Sequence, residues 1–155
     1  MSALSKNMIA PSLNIPRDGG SRINIAKLNG PYIVYFYPKD DTPGCTKEAC
    51  SFRDWNAELK KLGVKVVGVS KDSVTSHKKF IEKYELNFDL WSDEDHQLIE
   101  AFGAWQKKSM MGKEYMGTVR STFVIDPKGI VLRVWDKVNP PEHGQEIRDF
   151  IKEII

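Results

Sequence analysis

Two cysteines, Cys45 and Cys50, in a chain of 155 residues are too few to staple a fold together. A close pair in so cysteine-poor a chain points to redox or metal chemistry before it points to architecture. Long apolar runs are missing as well. The longest, residues 32–37, falls far short of the roughly 20 residues that cross a bilayer, so no membrane span is expected. Residues 1–11 hold neither the apolar stretch of a secretory signal nor the Arg- and Ser-rich pattern of a transit peptide, and a cytoplasmic address is the expectation that follows. An excess of one charge is lacking too. Twenty-three Lys and Arg against 21 Asp and Glu leave a formal charge of +2, scattered rather than gathered into a stripe, which argues against nucleic acid as the partner. With 41% hydrophobic residues, disorder is excluded as the main state. No repeat, low-complexity tract or linker divides the chain, and at roughly 150 residues per domain it is expected to form a single domain over 1–155.

What is present alternates strand with helix. Residues 1–31 are punctuated by Pro11, Pro16, Gly19, Gly20, Gly30 and Pro31 around short apolar pieces at 13–15 and 23–25, which predicts irregular chain or a small hairpin. Residues 32–37, β-branched and aromatic, predict a strand buried on both faces and ended by Pro38. Phe52, Trp55, Leu59 and Leu62 recur at helical spacing, predicting a helix over 46–62 that stops at Gly63. A second buried strand follows at 64–69. Then comes a helix capped by Asp72 or Ser73 and carrying Val74, His77, Phe80, Ile81 and Tyr84. Residues 90–91 predict a brief strand, and the acidic stretch 92–95 opens a helix running to Phe102. Residues 107–112, with Met110 and Met111, predict a mobile, solvent-facing loop. Strands at 119–125 and 130–135 form an antiparallel hairpin turning at Asp126-Pro-Lys-Gly129, and Pro140 and Pro141 open a last helix at 142–154. The sum is an α/β sandwich with a mixed sheet.

Open α/β sheets place their ligands beyond the carboxyl ends of the strands. Cys45 falls just there, at the start of the first helix, where free backbone N–H groups and the macrodipole stabilise a thiolate. Thr42 is placed to hydrogen-bond that thiolate or a bound oxygen, while Pro43 and Gly44 fix the turn. The bland alternative is two small buried hydrophobes. Zinc is disfavoured: the pair is not Cys-x-x-Cys, and His77, His96 and His143 stand at no ligand spacing. His77 and His143 are expected in ordinary surface roles, and His96 caps or lines the acidic helix. Glu48 serves the helix dipole or orients a cation such as Arg120, and both readings stay open. Arg120 begins a predicted strand among apolar or small polar neighbours and is free to point inward, still charged, beside Cys45.

The pattern Pro38-x-x-x-Thr42-x-x-Cys45 resembles the active-site motif of peroxiredoxins. The fuller Tyr35-Phe-Tyr-Pro-Lys-x-x-Thr-Pro-Gly-Cys-Thr-x-x-x-Cys50 is similar to the branch known as bacterioferritin comigratory protein or peroxiredoxin Q. The likeness runs from about Pro11 onward and takes in Leu90-Trp-Ser-Asp-Glu-Asp-His96, Phe102-Gly-x-Trp105 and Arg120-Ser-Thr-Phe-Val-Ile-Asp126. It implies a thioredoxin-like sandwich, its central mixed sheet flanked by helices, that reduces hydrogen peroxide and organic hydroperoxides. It assigns Cys45 as the peroxidatic nucleophile, Thr42 and Arg120 as its polar partners, Pro38 as the shield of the pocket and Cys50 as the resolving thiol. That chemistry requires no metal or organic cofactor, and recycling calls for an external dithiol, thioredoxin or a glutaredoxin-like protein. On a regular helix the Cα atoms of residues 45 and 50 lie roughly 8–9 Å apart, whereas a disulfide needs less than about 7 Å. If they join, the first helical turns must unwind. An internal resolving thiol removes any chemical need for a second subunit, so a monomer is expected. The rival readings are a thiol–disulfide oxidoreductase, whose usual Cys-x-x-Cys is missing, and a non-catalytic thioredoxin-fold binding or holdase module.

Overall fold

The computed structural model describes residues 31–154 and, before them, the backbone of two short strands, β1 (Asn14–Pro16) and β2 (Arg22–Asn24). These two pair antiparallel, Ile15 opposite Ile23, as the small hairpin read from the sequence; Leu13 and Ile25 lie outside the described residues. The chain continues through β3 (Tyr32–Phe36), α1 (Pro43–Lys61), β4 (Lys65–Ser70), α2 (Val74–Tyr84), β5 (Asp89–Ser92) and α3 (Gln97–Ala101). It closes with β6 (Trp105–Met110), β7 (Lys113–Thr118), β8 (Ser121–Ile125), β9 (Val131–Trp135), a 3-10 turn (Pro140–Glu142) and α4 (His143–Ile154).

Five strands form the main sheet in the order β5-β4-β3-β8-β9, with β3 parallel to β4 and antiparallel to β8. The continuous apolar run places β3 at the centre because only a strand covered on both faces can bury every side chain, and all five of its residues are buried. Alternation then splits those residues between two cores. Ile33 and Tyr35 face a cluster with Phe52 and Leu59 of α1, Phe80 of α2, and Ile147 and Ile151 of α4. Tyr32, Val34 and Phe36 face the other, with Leu98 and Ile99 of α3, Phe102 and Phe123. Gly68 of β4 makes room for this packing: a Cβ there would come within 2.7 Å of Leu90 and 2.8 Å of the Tyr35 ring. The architecture is a thioredoxin-like sandwich with a mixed sheet. No described helix is long and apolar enough to cross a membrane.

Three expectations need correction. Helix α1 starts at Pro43 rather than residue 46, because proline is pre-organised for the first helical position and loses no hydrogen bond there. Residues 107–112, read as a mobile loop, belong to the β6–β7 hairpin, with six residue pairs in register from Trp105 opposite Thr118 to Met110 opposite Lys113. Its turn is Met111-Gly112, both at positive φ, and a methionine in that conformation gives no turn signal in sequence. Arg120, expected inside a strand beginning at 119, lies in the link one residue before β8, which begins at Ser121.

Candidate active site

Beyond the carboxyl end of β3 the chain turns at Pro38, which is half-buried, and residues 39–42 lead into α1. Thr42 is the N-cap, with extended backbone at φ −98° and ψ 156°. Its carbonyl accepts from Thr46 N at 2.8 Å, closing the first turn. Its hydroxyl does not cap the helix but donates to Lys39 O at 2.9 Å, so the hydrogen expected for the thiolate is committed to the loop while the oxygen remains an acceptor.

Cys45 is the third residue of α1 and is buried, 2% exposed. Arg120 reaches it as expected: Nη2 lies 3.4 Å from Cys45 Sγ, and Nη1 donates to Glu48 Oε1 at 2.6 Å. Gly44 permits the approach, since a Cβ there would sit 3.1 Å from Arg120 Nη2. Burial works against the Arg120 charge, but Glu48 and Cys45 more than offset it and its pKa is raised. Glu48, one turn beyond Cys45 and fully buried, is thus the partner that orients Arg120. Burial pushes its carboxyl up to about 7 even though Arg120 pulls it down. Glu48 Oε2 and the Tyr35 hydroxyl are both buried with no hydrogen-bond partner. The tyrosine is held well above its ordinary pKa, by burial first and then by the nearby charges of Glu48 and Cys45. Cys50, half-buried and unbridged, lies further along the same continuous helix. Regular geometry keeps the two Cα atoms roughly 8–9 Å apart.

Two of the three histidines depart from expectation, and His96 does not. His77 is buried on α2, with Nδ1 2.7 Å from Asp40 Oδ2 and Nε2 2.9 Å from Trp91 O. His143 is buried under α4 between Thr122 Oγ1 at 2.7 Å and Glu146 Oε1 at 2.8 Å, and burial lowers its pKa. Each is buried because polar partners meet both ring nitrogens, which a sequence does not display. His96 occupies the N-cap position of α3 and stacks on Trp105 at 4.0 Å, while Asp93 accepts from Ile99 N at 2.8 Å. Asp40, Asp72 and His77 bring donor atoms within 4.8 Å of one another, the spacing a metal ion would need. Those atoms are already engaged with each other and with Tyr37, Ser70 and Ser76, so an ion would have to displace bonds that satisfy the cluster. Tyr35, Asp40 and Asp41 were missed in sequence, although Asp40 and Asp41 stand inside the motif loop.

A thioredoxin-like sandwich with a buried thiol at a helix N-terminus, set beside a carboxylate-oriented guanidinium, defines a thiol-based redox enzyme. The model of the AhpC/TSA family matches residues 7–134. The peroxiredoxin Bcp of Bacillus subtilis is 46% identical over 94% of this chain and 93% of its own length; that of Escherichia coli is 44% identical over 99% of each. Among solved structures, the bacterioferritin comigratory protein of Xanthomonas campestris, described for alkyl peroxide reduction, superposes with a TM-score of 0.87 at 38% identity, over 92% of this chain and 91% of that one. A mutant of peroxiredoxin Q from Xylella fastidiosa reaches 0.88 at 31% identity, over 97% and 99%. The chain belongs to the AhpC/TSA family and, within it, to the peroxiredoxins of the Bcp or peroxiredoxin Q branch, which are thiol peroxidases.

Proposed function

We propose that Cys45 reduces hydrogen peroxide and alkyl hydroperoxides, that Cys50 resolves the product within the same chain, and that thioredoxin or a glutaredoxin-like dithiol restores both thiols. The observation that carries this reading is the Arg120 guanidinium 3.4 Å from a buried sulfur in the first turn of α1. The Cys45 thiolate attacks one peroxide oxygen, the O–O bond breaks, and the departing alkoxide or hydroxide takes a proton to leave as alcohol or water. Arg120 and first-turn N–H groups without helical partners stabilise the thiolate and the oxygen that gains charge. Thr42 Oγ1 accepts a hydrogen bond from the incoming hydroperoxide, and Pro38 keeps water from the pocket. Cys50 then attacks the sulfenic sulfur, releasing water and leaving a Cys45–Cys50 disulfide that an external dithiol reduces by exchange. No step draws on a metal or organic cofactor. We place the enzyme in the cytoplasm as a monomer, with the chain over 1–155 working as one domain.

Stopped-flow mixing of reduced protein with hydrogen peroxide tests this. One equivalent consumed per chain, followed by a Cys45–Cys50 bridge in peptide maps, is expected. Cys50→Ser should instead accumulate a dimedone-reactive sulfenic acid, overoxidise and fail to turn over with thioredoxin. Normal thioredoxin cycling by that variant, with no bridge in the wild type, would make this a one-cysteine peroxidase and return Cys50 to helix packing.

A further inference from the structure

The loop that carries the motif into α1 is bolted to α2. Every polar group of Asp40 that can make a side-chain or amide bond does so: Oδ1 accepts from the Tyr37 hydroxyl at 2.6 Å, Oδ2 from Ser76 Oγ at 2.7 Å, and the backbone N–H donates to Asp72 Oδ2 at 2.9 Å. The remaining contact is His77 Nδ1 at 2.7 Å from Oδ2, between a side chain 0% exposed and one 5% exposed. A carbonyl oxygen only accepts, so His77 Nε2 carries the hydrogen that reaches Trp91 O. The Nδ1 contact is a hydrogen bond only with a proton on one of its two atoms, which makes the pair mutually dependent. Asp72, itself bonded to Ser70 Oγ, is the other charged group facing the pair. Next door, Asp41 sits in the left-handed region at φ 56°, its carboxylate tied to Lys83 Nζ and the Tyr84 hydroxyl at 2.7 Å each. Both ties run from residues four and five places before Cys45 to a single helix.

We propose that Asp40 and His77 are positioning residues for the peroxidase site. The pair fixes residues 38–42, and with them Pro38 and Thr42, on α2. It remains fastened while the first turns of α1 unwind for disulfide formation, so that the unwound stretch has a fixed upstream end and Cys45 returns to the same pocket. This rests on the reading that Cys45 and Cys50 join. A buried pair that makes this many bonds is costly to break, whereas the helix that follows starts at an N-cap whose side chain makes no capping bond.

Stopped-flow fluorescence separates a peroxide-dependent phase, oxidation of Cys45, from a peroxide-independent one, disulfide formation. In His77→Leu and Asp40→Ala the first phase should slow by about tenfold because the pocket is no longer held in register. The second should stay within about threefold of wild type, since in the wild type the pair is unchanged by that step and its removal therefore affects both sides of it alike. The double variant should match the singles, as residues acting as a unit are non-additive. Asp40→Asn, which can still accept from Tyr37 and donate to Nδ1 of a neutral imidazole, should recover most of the lost rate. Should His77→Leu fail to fold, Ser76→Ala should show the same split at smaller size. A folded variant with an unchanged first phase, both phases slowed by one factor, or additive losses would each overturn the positioning role. A wild type with no second phase and no Cys45–Cys50 bridge would overturn the underlying reading and this proposal with it; a normal wild type without the split in the variants overturns the proposal alone.

Discussion

Helix α1 is one continuous helix built in two different ways. Its front, residues 43–50, has an N-cap whose side chain makes no capping bond and has no acidic residue in its first turn. What it buries is a thiol, a carboxylate with one unpartnered oxygen, and an alanine. Its rear is fastened from three directions. Ser51 Oγ accepts from Gly144 N at 2.8 Å, Arg53 donates to Tyr84 O at 2.7 Å and Asn56 to Asn87 O at 2.8 Å. Phe52 and Leu59 are wholly buried, Phe52 stacking on Tyr35 with centroids 4.5 Å apart, and Arg148 holds Glu58 at 2.9 Å. The front spends its burial on chemistry and the rear on stability, so the cheap place to unwind coincides with the segment that spans the two thiols.

The largest effect that would test this division is at the front. Cys45→Ser should abolish peroxide reduction while the circular dichroism and melting transition stay those of the wild type, since the sulfur carries the attack and little of the packing. Retained turnover would remove Cys45 from the site. Next, Arg120→Met should slow oxidation of Cys45 on the order of a hundredfold, comparable to losing an oxyanion donor. An unchanged second-order rate with peroxide would show the guanidinium to be a bystander.

Glu48 sharpens the comparison through pH. Its folded-state pKa, about 7, lies above the ordinary 4.5, so between those values the folded protein binds more protons than the unfolded one. The stabilising contribution of protonated Glu48 is complete below about 4.5 and is lost as pH rises through 7, an effect on the order of 3 kcal/mol. Denaturant titrations of wild type and Glu48→Gln across that window should diverge, the variant having the flatter profile; parallel profiles would mean that Glu48 titrates normally. The smallest effect on activity belongs to the rear. A Cβ at Gly144 would meet Ser51 O at 2.4 Å, so Gly144→Ala should lower stability by about 1–3 kcal/mol while leaving the peroxide-dependent rate within about twofold. A large loss of rate without loss of stability would erase the distinction between the two halves.

Much of this was legible in the chain itself. The unbroken apolar run of β3 marked the centre of the sheet, Pro43 and Gly44 before Cys45 marked the junction where the thiol sits, and the spacing of Phe52 and Leu59 marked the buried face of α1. Arg120 was assigned to Cys45 through resemblance, and the distance between them agrees. What escaped was set by partners far along the chain. His77 stood at an apolar position of the α2 period, yet its residue type suggested the surface; only Asp40, 37 residues away, and the carbonyl of Trp91 make its burial possible. His143 escaped for the same reason, its partner Thr122 lying 21 residues before it. The β6–β7 hairpin was hidden by exposed strands whose Met, Lys and Tyr side chains give no alternation to read.

Hydrogen exchange on oxidised and reduced protein tests the division of α1 most directly. With the Cys45–Cys50 bridge formed, amides of residues 46–50 should lose their protection, while those from Phe52 to Leu59 and those of α2 keep theirs. Protection unchanged across 46–50 in a protein mapped as bridged, or lost along the whole of α1, would contradict it.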